Sequence, residues 1–114
     1  DSGGSVFTAF ASDGVTCATG TYFTLVQTYI EGANHAHNTA LRISVDGTSG
    51  GAIGAQGFIR NVDGHTETGM LVFRLVTLAS SAKIGFTHQQ IASWANTITM
   101  PADNSSMIIL RLQE

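Results

Sequence analysis

Apolar and polar positions alternate with a period of two along most of this chain, the spacing of a strand that buries one face and wets the other. The clearest case is Thr39–Asp46 (TALRISVD), where Leu41, Ile43 and Val45 fall on one side and Arg42, Ser44 and Asp46 on the other. Tyr22–Ile30 (YFTLVQTYI) is dense in aromatic and β-branched residues and is bracketed by Gly20 and Gly32, which predicts a second long strand. Leu71–Leu78 (LVFRLVTL) breaks the alternation. Nearly continuous apolar with a single arginine, it predicts a central strand covered on both faces, with Leu71, Phe73 and Leu75 in the core beside Leu41, Ile43 and Val45. Shorter strands are expected at Val6–Ala11, Ala52–Val62, Ala82–His88, Thr97–Met100 and Ser106–Gln113, which makes about eight. Only Thr87–Asn96 (THQQIASWAN) has a spacing compatible with a short helix.

The punctuation agrees with strands. Asp13-Gly14, Asp46-Gly47 and Asp63-Gly64 each sit between strand-like runs, where an Asp-Gly pair predicts a hairpin turn. Gly47–Gly57 (GTSGGAIGAQG) reads as a loop leading into a strand of small residues, and Pro101 with Ala102, Asp103 and Asn104 makes the turn before the last strand. With no repeat and no linker-like segment, the 114 residues are expected to form one all-β domain, an antiparallel, jelly-roll-like β-sandwich, with residues 1–5 as a flexible lead-in.

Composition narrows the partners. Only 11% of the residues are charged while 43% are apolar, and the net charge of −3 is spread thinly, with no run of one sign that would track phosphates or anionic lipid. Nucleic acid and membrane surfaces are therefore not expected as partners. No apolar run reaches the roughly 18 residues of a membrane span. The exposed faces of such a sandwich must be built from Thr, Ser, Ala, Gly, Gln and aliphatic side chains. Monomers rarely leave large surfaces of that kind bare, so an oligomer or a larger assembly is expected.

Catalytic signatures are sparse. Asp1-Ser2-Gly3-Gly4 matches the sequence around a serine-protease nucleophile, but nothing precedes it to supply the base and its orienting acid. Three of the acids are Asp-Gly turn residues and Asp103 belongs to the last turn, which leaves Glu31 and Glu67 as candidates for a carboxylate pair that nothing in the sequence brings together. Cys17 is the one cysteine, so no disulfide closes within the chain; it reads as a small core residue rather than as a nucleophile paired with one of the four histidines. A non-enzymatic role follows.

Two binding patterns remain. His35-Ala36-His37 places two imidazoles on one side of an extended segment, too few for a closed metal site, though three copies around a threefold axis would present six nitrogens to iron, nickel or zinc. No cofactor is expected apart from that conditional metal. Trp94, Tyr22, Tyr29, Gln89 and Gln90 are the residue types a carbohydrate-binding surface uses, rings for stacking and amides for hydroxyls, and they support an alternative reading as a receptor- or glycan-binding head.

The strand pattern, the Gly-rich middle and the ending Ser106–Glu114 resemble the small trimeric jelly rolls of phage and viral structural proteins: capsid decoration or cement proteins, spike knobs and fibre tips, some sharing the tumour-necrosis-factor sandwich. The resemblance implies a homotrimer at a virion surface or outside the cell, packing on a capsid or tail. It also implies a last strand near the threefold axis, with either Met107 and Ile109 or the alternate set Ile108, Leu110 and Leu112 at the interface.

Overall fold

Residues 7–11, 14–32, 38–47, 52–60, 67–90, 98–99 and 105–113 are described by the computed structural model, with side chains over 14–29, 40–47, 69–87 and 105–112. Among the described residues every regular element is a strand: β1 (Phe7–Ala11), β2 (Gly14–Cys17), β3 (Gly20–Gly32), β4 (Asn38–Val45), β5 (Ala52–Arg60), β6 (Glu67–Leu78), β7 (Ala82–Gln90), β8 (Ile98–Thr99) and β9 (Ser106–Gln113). They form two antiparallel sheets. One runs β1-β2-β7-β4-β5; in the other, β6 lies along one edge of β3 while β8 and β9 share the opposite edge. Consecutive strands β2, β3 and β4 alternate between the sheets, as do β5, β6 and β7, so the fold is a β-sandwich closed by crossovers.

The two sheets meet over one cluster. Cys17, Leu41, Ile43, Ala82 and Ile84 from the five-stranded sheet face Tyr22, Val26, Met70, Val72, Val76 and Leu78 from the β6–β3 sheet, with Val15, Val45, Phe86, Met107 and Ile109 packed at its margin. Leu41 and Ile43 are fully buried, as the alternation in Thr39–Asp46 predicts, but the opposite side is not wetted throughout: Ala40 and Ser44 are buried as well, and Arg42 is half-buried.

Turn chemistry fixes the strand ends. Asp46 (φ 55°) and Gly47 (φ 81°) both take the left-handed conformation that an Asp-Gly pair accepts most readily. Asp46 is also tied to β7, its N–H donating to the Lys83 carbonyl and its Oδ1 accepting the Lys83 N–H, each at 2.8 Å. Gly14 opens β2 at φ 144°, where a Cβ would collide with the Ile84 carbonyl oxygen, so glycine alone fits. The Asp63-Gly64 pair lies outside the described residues, but β5 and β6 on either side of it belong to different sheets, so the expected hairpin is not formed. The crossover between the sheets overrides the local turn signal.

Three further expectations are corrected. Among the described residues the strands number nine rather than about eight, because Gly14 of the first Asp-Gly pair opens a short strand, β2, whose four residues carry no alternation to reveal it. Thr87–Gln90 of the expected helix is the end of β7, held by pairing with β4, while residues 91–96 lie outside the described residues. Third, β6 is not covered on both faces. It lies at the edge of its sheet and turns Leu71, Phe73 and Leu75 outward, 58–63% exposed, while Met70, Val72, Val76 and Leu78 enter the core. In this run both alternate sets are apolar, so the pattern carries no sign. The register decides it. Val26 pairs with Val72 and Leu25 with Phe73, and it is the even-numbered set of β3 that is buried.

The inward set of β3 also buries Thr24 and Thr28, whose Oγ1 atoms have no hydrogen-bond partner. An unpaired buried hydroxyl costs about 1–3 kcal/mol. Thr24→Val should raise the unfolding free energy by about 1 kcal/mol in urea titrations. Leu41→Ala should lower it by about 2–5 kcal/mol, whereas Phe73→Ser, at a position 63% exposed, should cost the isolated subunit less than about 1 kcal/mol; a large loss at Phe73 would contradict the outward register.

Candidate functional site

The outward face of the β6–β3–β9 sheet is built from cross-strand rows. Leu75, Phe23 and Leu110 form one row and Phe73, Leu25 and Ile108 the next, with Leu71 and Leu112 extending the array. Residues directly opposite on antiparallel strands lie on one side, so an apolar set on each of three strands becomes a continuous apolar surface. Phe23 and Phe73 are diagonal neighbours with ring centroids 6.2 Å apart at 34°, within the range of a favourable aromatic pair. Six members, Leu71, Phe73, Leu75, Ile108, Leu110 and Leu112, are each at least half exposed.

Polar groups frame this surface. At one end Thr21 and Thr77 face each other, their hydroxyls 3.3 Å apart; at the other end stand Gln27 and Ser106. The nearby cations belong to the opposite side of the sheet. Arg74 occupies an inward position opposite Thr24, and the Arg111 guanidinium donates to the Thr19 carbonyl at 2.8 Å. Apolar centre, polar rim and depleted charge are the anatomy of an interaction surface.

The C-terminal strand expected at an interface divides between the two faces of its sheet. Ile108, Leu110 and Leu112 point outward on this surface, whereas Met107 and Ile109 are packed against the core cluster. The half of the surface contributed by β6 is not apparent from the sequence, whose near-continuous apolar run places Leu71, Phe73 and Leu75 in the core. The signal available was the second apolar set in LVFRLVTL, one more than a strand with a single buried face needs.

Of the sugar-binding set the described residues remove one member and separate others. Tyr22 is fully buried, its hydroxyl donating to the Ala18 carbonyl at 2.8 Å, and offers no face for stacking. Tyr29 lies on β3 and Gln89 and Gln90 on β7 in the other sheet, while Trp94 is outside the described residues. His35 and His37, the conditional metal ligands, are also outside them. Among the described residues no cluster of three or more His, Cys, Asp or Glu exists to hold a metal, and no helix is long and apolar enough to cross a membrane.

Two candidates change position. Glu31 and Glu67, which nothing in the sequence brings together, are directly opposite in the β3–β6 register. Cys17 is fully buried beneath β7, with its thiol donating weakly to the Val15 carbonyl at 3.4 Å. Desolvation pushes the thiol above its ordinary value, against the smaller opposing effect of a backbone hydrogen bond from Ile84, which makes it a poor nucleophile.

Burial likewise raises Tyr22, partly offset by the positive charge of Arg111. Both groups are neutral when protonated and both are raised, so the unfolded chain gives up these protons first. The stability they support is fully present below about pH 9 and falls as the pH climbs through 10 and above. Tyr22→Phe should lose about 1 kcal/mol at neutral pH with its hydrogen bond and then decline less steeply between pH 9 and 11. Urea unfolding across that range checks this; parallel curves for parent and variant would contradict it.

No family model matches the chain, and no curated protein matches it in sequence.

Proposed function

We propose that the chain is a non-enzymatic structural module of virion type, a homotrimeric decoration or cement protein that packs on a capsid or tail at the virion surface or outside the cell. The observation that supports this reading is the uncharged apolar face of the β6–β3–β9 sheet, unfavourable in water and favourable when covered. A surface of this kind suits permanent packing better than turnover. Among its described side chains it offers a substrate no carboxylate, imidazole or amine, and the buried Cys17 thiol is withdrawn from solvent. The virion setting comes from the likeness of the strand-rich chain, its Gly-rich middle and its apolar ending to small trimeric jelly rolls.

Size-exclusion chromatography with light scattering, at micromolar concentration, should give three times the 11.9 kDa chain mass. A chain that remains monomeric under those conditions would overturn the reading.

A further inference from the structure

We infer that the outer face of the β6–β3–β9 sheet is the surface through which one copy of this chain packs on another, centred on Phe23, Leu25, Phe73 and Leu110. The inference rests on the homomeric reading above and adds the surface that performs it.

Area is the first argument. Six large apolar side chains that are each 50–63% exposed leave roughly 500–600 Å² in water, at the upper end of the largest apolar patch of about 300–600 Å² on a typical monomer. It approaches the roughly 800 Å² that each partner contributes to a stable protein–protein interface. The half-buried Phe23 and Leu25 lie within the same rows and add to it.

Charge identifies the occupant. Among the described side chains on this face none is charged, and the first acidic positions along β3 and β6, Glu31 and Glu67, stand at the far end of the ladder. When copies of one surface meet, a charged centre would set like charges against each other; this centre has none to repel its own copy. The absence of charge equally removes any means of selecting a foreign protein by charge complementarity. Three such faces turned toward one threefold axis would each meet the two others, so the covering surface is the same apolar rows on neighbouring copies. A lipid surface fits less well. The cations that would draw the chain to anionic headgroups, Arg74 and Arg111, are on the inward side of this sheet.

The test compares the full parent chain with Phe73→Glu and Leu110→Glu on the face and with Ser80→Glu, an exposed position in the turn after β6. Light scattering over a dilution series gives the assembly state, and circular dichroism reports the fold. The inference expects a trimeric parent and a trimeric Ser80→Glu. Both face variants should be folded monomers, their assembly midpoint raised by more than about a hundredfold. Should a glutamate prevent folding, the milder Phe73→Ser is read in its place. A trimeric parent whose face variants remain trimeric overturns the inference and leaves the proposed function standing. A monomeric parent overturns both. A monomeric parent that co-sediments with phosphatidylcholine vesicles, and loses this with Phe73→Glu, would assign the face to lipid instead.

Discussion

Twelve consecutive residue pairs, from Gly20 opposite Leu78 to Glu31 opposite Glu67, join β3 and β6 without a register break. The rest of the molecule depends on that ladder. Because side chains alternate with a period of exactly two residues in geometry, one register assigns Tyr22, Val26, Val72 and Val76 to the core and sends Phe23, Leu25, Phe73 and Leu75 to the outside. A slip of one residue would exchange the sets, and the exchanged fold would still bury apolar groups. What distinguishes the observed register is the fit of particular side chains: the inward set of β3 carries the tyrosine whose hydroxyl reaches Ala18 beyond the start of the strand, while the outward sets of β3 and β6 each carry one of the two phenylalanines that meet across the ladder.

The cost of this arrangement is visible on both faces. Inside, Thr24 and Thr28 bury hydroxyls without partners, and Arg74 occupies an inward position among apolar neighbours. Outside, three strands display leucine, isoleucine and phenylalanine to water. A chain with only 13 charged residues, five basic and eight acidic, has few means of hiding such a surface with long charged side chains, the usual way an exposed sheet stays soluble. A covered surface resolves the difficulty, and the energetic logic of the proposed assembly is the same hydrophobic burial that holds the two sheets together.

The five-stranded sheet behaves differently. β4 lies inside it between β5 and β7 and is covered in part on both sides: Leu41 and Ile43 enter the core, and Ala40 and Ser44 on the other side are also buried, with Arg42 half-buried between them. Its end is fixed by Asp46, whose two hydrogen bonds to Lys83 extend the β4–β7 ladder by one residue beyond the last paired strand position. Cys17 and Ala82, small residues facing each other across β2 and β7, let the opposing sheet approach at that end of the core.

The sequence by itself determined that this is an all-β chain, where most of its strands run, and that Leu41 and Ile43 belong to the core, because strand propensity and a period of two are local properties. It also determined that charge would be scarce wherever a surface formed. Only the tertiary structure decided which half of LVFRLVTL and of SMIILRLQ points inward, since in each run both alternate sets contain apolar residues and the choice comes from the register against β3. The same holds for Tyr22. An aromatic reads alike in a sequence whether it faces solvent or the core, and pairing between residues far apart in the chain settles which it does.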